Sequence, residues 1–248
     1  MWEIYDRLIA DIDPKVQVVS TKTAEPVAEV VSSESSVGRA FLLPSDSRPA
    51  TLTAEEMVGR PLKDVAQLAK SWNFTEAAFG MAAINAWWGA RHRVVENGFE
   101  LMESTSFGEL FNPYAELVAG KTVGIVGHFP FAYRALAGAG EIKIFERNLR
   151  PGDYPDSASE YLLPECDYVF ITGSAFVNKT MPRLLELSKD AFTVVVGPSA
   201  SCAPFLLEYG VNDLLGFSST PEPEPEANGL DLFIAHGTWH GRRVKLSA

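Results

Sequence analysis

Apolar residues at Trp2, Ile4, Tyr5, Leu8, Ile9 and Ile12 recur close to the helical period, which predicts an opening helix over residues 2–12. Asp13-Pro14 stops it, because the residue before a proline is pushed out of the helical region. The pattern then changes to three β-rich runs, "VQVVST", "EPVAEVVSS" and "GRAFLLP", separated by short polar breaks. Such spacing predicts a small antiparallel meander. Two further helices follow. Pro61 is placed at the first position of "PLKDVAQLAKSW", and Asn73 with Glu76 three residues later makes a capping-box pattern at the start of "FTEAAFGMAAINAWWG".

"FNPYAELVAG" supplies an Asn cap, an early Pro and a Gly stop for one more helix, and near Gly120 the texture changes. Four runs, "TVGIVG", "IKIFE", "DYVFITG" and "TVVVGP", are almost wholly apolar, as strands are when both faces of a parallel sheet are covered. Helical stretches fall between most of them, at "PFAYRALAG", "KTMPRLLELSKDA" and "APFLLEYG". The chain is therefore read as α/β, with a small α+β domain over residues 1–110 and a Rossmann-like, doubly wound domain over residues 111–248. "STPEPEPEANG" is an extended acidic loop, and "LDLFIAHGTWHGRRVKLS" a closing hairpin or pair of strands.

Composition narrows the partners. The 248 residues are 46% hydrophobic, enough for well-buried cores, and 21 basic against 32 acidic residues give a net charge of −11. No Lys/Arg cluster longer than a pair occurs, so nucleic acid and anionic membrane surfaces are not expected partners. The first residues carry acids within their apolar pattern, unlike a signal peptide or a membrane span. Two distant cysteines, Cys166 and Cys202, fit buried thiols in a reducing compartment, so a cytoplasmic location is expected. Homo-oligomerisation is left open.

"GKTVGIVGHFPF", residues 120–131, reads as the first strand and phosphate loop of a nucleotide-binding fold with altered chemistry. Gly127 occupies the first glycine position of the fingerprint and Ala132 the third, but Phe129 stands where the second glycine would let backbone approach a pyrophosphate. Pro130 removes an amide besides. NAD and FAD are therefore disfavoured. Glu146, nineteen residues after Gly127, stands where such folds place a carboxylate on ribose hydroxyls, which keeps S-adenosylmethionine as an alternative cofactor. The plainer reading is that Gly127 only turns the chain and Glu146 is a surface acid.

Other strand ends add short polar groups: Thr172, Gly173, Ser174, Asn178 and Thr180 after the third strand, Ser199 after the fourth. Each serves as well for a cap as for a ligand. His128 brings an imidazole, the side chain best suited to proton transfer near neutral pH, and is the first candidate for that role, against the alternative of stacking on Phe129 or Phe131. Asn85 lies in an apolar helix and must bond either backbone or ligand. Glu76 is either a cap or a site residue, and nine helical steps keep it from pointing where Asn85 points. His236 and His240 have helical ligand spacing, but Gly237 and Gly241 argue for turns. No C-x-x-C or H-E-x-x-H pattern occurs, so no metal ligands are assigned. Asp153, Asp156 and Glu160 suit a hard cation or a solvated loop.

"KSWNFTEAAFGMAAINAWW", "VGIVGHFPF", "GDYPDSASEYLLPECDYVFITGSAFVNKTMPRLLELSK" and "VVVGPSASCAPFLLEYGVNDLLGF" together resemble a family of uncharacterised bacterial and archaeal heavy-metal chelation proteins, over nearly the whole chain. The resemblance implies an enolase-N-terminal-like domain, then a Rossmann-like one, with a pocket at their junction. It implies binding, and condensation or hydrolysis, of a pterin-, flavin- or siderophore-like metabolite, with only an indirect link to metal. The matching positions include Trp72, Glu76 and Asn85 in the first domain, and His128, Phe129, Glu146, Asp153, Tyr154, Thr172, Gly173, Asn178, Thr180 and Ser199 in the second. Trp72, Phe129 and Tyr154 would stack on the ligand, with Glu146 and the strand-end hydroxyls as polar contacts. The remaining alternative is a non-catalytic metal- or metabolite-binding protein.

Overall fold

The computed structural model describes residues 2–43, 48–103, 110–223, 232–234 and 237–248. Helix α1, Glu3–Ala10, buries Ile4, Tyr5, Leu8 and Ile9, the stripe expected from its period. Strands β1 (Val18–Ala24), β2 (Val27–Ser32) and β3 (Val37–Phe41) form the antiparallel meander. Short helices α2 (Ala54–Met57) and α3 (Leu62–Ala66) lead to α4 (Phe74–Trp88), which is buried from Glu76 to its end and lies on the meander. Pro61 precedes α3 rather than opening it. Helix α5 (Arg91–Glu96) and the short β4 (Glu100–Leu101) complete this half.

Strands β5 (Thr122–Val126), β6 (Glu141–Glu146), β7 (Tyr154–Pro155), β8 (Tyr168–Thr172), β9 (Phe192–Val196) and β10 (Asp213–Ser219) lie in the order β7-β6-β5-β8-β9-β10, every neighbouring pair parallel. Side chains alternate between two cores, as required when helices cover both faces. Val169, Ile171 and Val195 join the core built on α1, α3 and α4, whereas Phe170, Val194 and Val196 join Phe111, Tyr114 and Val118 on the other face. The intervening helices are α6 (Ala132–Ala135), α7 (Ser159–Leu162) and α8 (Met181–Leu187).

The two halves share one sheet. β10 pairs with β9 over its first residues and meets β3 at Ser219↔Val37, while β13 (Gly241–Ser247) lines its other edge and also pairs with β4. β11 (Leu232–Ile234) and β12 (Gly237–Trp239) form a separate hairpin. Three expected helices shrink: residues 130–138 hold the single turn of α6, Pro204–Tyr209 is a 3-10 helix, and Asn112–Tyr114 is a 3-10 turn. The latter two carry prolines at their first and second positions, Pro204 and Pro113 respectively. Among the described residues no helix is long and apolar enough to cross a membrane.

Candidate functional site

β5, the first strand of the parallel sheet, has later strands on both sides, so the winding reverses between β5 and β8. Ligands in such sheets sit at the carboxyl ends of the strands beside that reversal. A cavity of about 620 Å³ opens there. Gly127, Glu146 and Thr172 from the ends of β5, β6 and β8 line it, with Ser174, Asn178 and Thr180 from the turn after β8. Leu42 and Leu43, which follow β3, complete its apolar wall with Phe145, Leu184 and Leu187.

The strand ends are held by their own side chains. Glu146 accepts hydrogen bonds from the amides of His128 (3.0 Å), Arg147 (2.6 Å) and Asn148 (3.0 Å), tying the β5 turn to the end of β6. A carboxylate offers about four lone-pair positions, so one remains, fewer than a bidentate ribose diol uses. This load weighs against the S-adenosylmethionine alternative. Thr172 Oγ1 lies 3.1 Å from Ser174 Oγ, and Asn178 Oδ1 accepts from the amide and hydroxyl of Thr180 (3.1 and 2.6 Å). Around the cavity Arg183 pairs with Glu160, whose carboxyl is thereby held below its usual range. Arg147 stands 3.6 Å from Asp156.

Other predicted residues lie elsewhere. Phe129 packs on Phe111 and Phe131 at ring distances of 5.4 and 6.1 Å, within the core of the opposite sheet face, and is not among the cavity residues. Gly127 has φ +95°, and a Cβ there would press on Thr172 Cγ2 at 2.9 Å. Gly173 serves a close approach, since a Cβ would meet Ala200 N at 2.1 Å. Ser199 Oγ is buried and accepts from the amide of Phe41 (2.8 Å). Tyr154 stacks on Phe145 (5.9 Å), and Trp72 is exposed beside Trp2. Asn85 donates to the Arg39 carbonyl (2.9 Å) within the core.

Glu76 departs from the capping box. Asn73 Oδ1 accepts from the Glu76 amide (3.0 Å), but the Glu76 carboxylate turns instead to Thr51, Leu52 and Ser71. His128 presents Nδ1 3.3 Å from Asp153 Oδ2, a contact at ion-pair range without hydrogen-bond alignment. Asp153 is almost fully buried there and also accepts from the amide of Arg150 (2.9 Å). His236 lies outside the described residues, as does most of the acidic proline loop.

Sequence reasoning passed over Lys179. It sits between two cavity residues with φ +67°, a region that side-chain-bearing residues rarely adopt. Burial draws its ammonium down to about 8, and no carboxylate among the described residues offsets that loss of hydration. At pH 8 about half of Lys179 is then free amine, against under about 1% for an ordinary lysine. Trace acetylation at pH 8, read by peptide mass spectrometry, is expected to label Lys179 about tenfold faster than exposed Lys189. Equal labelling would contradict this environment.

Comparison with known proteins agrees with this layout. Two family profiles, both described as "Putative heavy-metal chelation", match residues 5–88 and 109–222. A solved structure of a protein of unknown function from Desulfitobacterium hafniense, of the family matching the second segment, is 33% identical with TM-score 0.83, covering 100% of this chain and 99% of its own. The chain belongs to this chelation family. A second solved member of unknown function, from Pyrococcus horikoshii, is 22% identical with TM-score 0.73 over 99% of this chain and 98% of its own, and shows the same fold. An uncharacterized protein of Methanocaldococcus jannaschii is 26% identical over 84% of this chain and 80% of its own.

Membership raises the question of whether this chelation-family chain holds metal by itself. The donor set does not fit a soft ion. Thiolates are the ligands such ions need, and burial pushes Cys166 up to about 11 and Cys202 up to about 12. Among the described residues no three His, Cys, Asp or Glu side chains converge.

Proposed function

We propose that the protein binds a small metal-chelating metabolite, pterin-, flavin- or siderophore-like, in the cavity at the carboxyl ends of β5, β6 and β8. The cavity itself carries the reading. Its volume, about 620 Å³, suits a molecule of that size, and it combines apolar walls with hydroxyl and amide groups fixed by their own hydrogen bonds. The family's association with heavy metals is then a property of the ligand, since the thiols of this chain are held protonated.

Proton transfer, where the metabolite is processed by condensation or hydrolysis, falls to His128. Asp153 faces its Nδ1 at 3.3 Å, leaving Nε2 as the nitrogen that would exchange a proton. His128 is not itself among the cavity-lining residues; what supports its role is its place directly after cavity residue Gly127 and the buried Asp153 carboxylate beside it.

The test is enrichment of metabolites from a cell extract by the full chain, read by mass spectrometry. Ser174→Trp, which fills the cavity with an indole, is the comparison. Wild type is expected to retain at least one species about tenfold over the variant. Equal retention would overturn the reading, and so would one equivalent of transition metal on protein purified without chelators.

A further inference from the structure

Three separate elements bring charged or aromatic groups to one ring beside the cavity. Phe74 opens α4, where Asn73 caps the helix and fixes its start. Lys179 Nζ, from the turn after β8, stands 5.3 Å from the Phe74 ring centroid and 6.0 Å from that of Trp72. The Arg147 guanidinium, from the end of β6, stands 5.8 Å from the Phe74 centroid. Arg147 itself lines the cavity, and Lys179 lies between cavity residues Asn178 and Thr180.

Two cations at one ring are unusual in a chain of net charge −11. Like charges disfavour one another, and each gains little from an exposed partner: among the described residues the carboxylate beside Arg147 is Asp156, at 3.6 Å with both side chains about half exposed. Lys179 donates to the carbonyl of Val177 (2.7 Å), which leaves two of its three ammonium protons for another acceptor. The aromatic faces satisfy part of that charge, as cation–π contacts do, and offer an apolar surface beside it. An acidic group would complete both cations, and an attached ring would lie against Phe74.

We propose that Phe74, Lys179 and Arg147 form an anion-receiving mouth of the cavity, and that the ligand is an aromatic compound bearing a carboxylate. This rests on the reading of the cavity as a ligand site, and it specifies the chemistry of what enters. The neighbouring Glu146 carboxylate is turned to three backbone amides, and among the described residues it pairs with neither cation.

Salicylate and its neutral counterpart salicylamide separate charge from ring. Calorimetric titration of the full chain is expected to give salicylate at least about fivefold tighter binding than salicylamide, an advantage that shrinks with added salt. Lys179→Met and Arg147→Met, which keep the length of the stem, should each weaken salicylate about fivefold and leave salicylamide within about twofold. If a variant fails to fold, the salt series on wild type still decides. Equal affinity for the two probes, or no salicylate binding at about 10 mM, would overturn the mouth. Equal binding that disappears in Ser174→Trp would overturn the mouth while supporting the cavity as a ligand site, so the two failures are distinct.

Discussion

Gly38→Ala is expected to destabilise the protein by about 3 kcal/mol or more, seen as a fall in the urea midpoint without a large change in slope. Gly38 lies in β3 where that strand crosses α4. A Cβ on it would stand 1.9 Å from the Ala82 carbonyl oxygen, 2.2 Å from the Ala86 amide nitrogen and 2.7 Å from the Asn85 carbonyl carbon. All three are backbone atoms of a helix packed in the core, so no side-chain rotation relieves the contact. The strand must instead lift from the helix, breaking the bond from Asn85 Nδ2 to the Arg39 carbonyl and opening the interface lined by Ala82, Ala83 and Ala86. Gly98→Ala is the control, because its φ of +79° strains an alanine but nothing lies within 4 Å of the new methyl. It should cost about 1 kcal/mol. A Gly38→Ala variant no less stable than Gly98→Ala would show that β3 and α4 are not packed this closely.

The same crossing marks the limit of what the sequence discloses. α4 was legible from Asn73 with Glu76, from its long run of small and apolar residues, and from Gly89 at its end, because caps and composition are local. The four buried strands β5, β6, β8 and β9 were legible because short, almost wholly apolar runs bounded by glycine or polar residues have few other uses. β10 was not, since "DLLGFSS" carries Asp213 and Gly216 for reasons outside itself. Asp213 accepts from the hydroxyl of Tyr114 at 2.5 Å, and a Cβ on Gly216 would stand 2.4 Å from Cys202 Sγ. The cavity was legible in part. Strand-end residues Gly127, Glu146, Thr172, Ser174, Asn178 and Thr180 do share it, because topology places strand ends together. Phe129 lies only two residues after Gly127 yet faces the other layer, where its partner Phe111 comes from a distant segment. Arg183, Leu184 and Leu187 had a signal that went unused: they follow Thr180 at helical spacing on α8, one turn after the strand end. Leu42 and Leu43 had none, because only the joining of β3 to β10 brings them there.

Glu76→Ala is expected to cost about 3 kcal/mol, and Glu76→Gln about 1–2 kcal/mol, with both measured by urea unfolding at pH 7. The carboxylate is buried in the first turn of α4, where the helix dipole favours a negative charge. Its Oε1 accepts from the amide and hydroxyl of Thr51 and from the amide of Leu52 (2.8 Å), and its Oε2 from the hydroxyl of Ser71 (2.6 Å). Alanine leaves all these donors without an acceptor, whereas glutamine keeps one oxygen for them. The acid therefore fastens the chain at Thr51 and Leu52 to the start of the helix. Burial alone would raise the Glu76 carboxyl, but the hydrogen bonds from Ser71, Thr51 and Leu52 outweigh it and hold the group below its ordinary 4.5. A depressed folded value means that this stabilisation is present above the unfolded value and is lost as pH falls through the folded one. The urea midpoints of wild type and Glu76→Gln should accordingly converge as pH is lowered from 6 to about 3. A gap that stays constant across that range would show that the charge on Glu76 contributes nothing and that only its shape is needed.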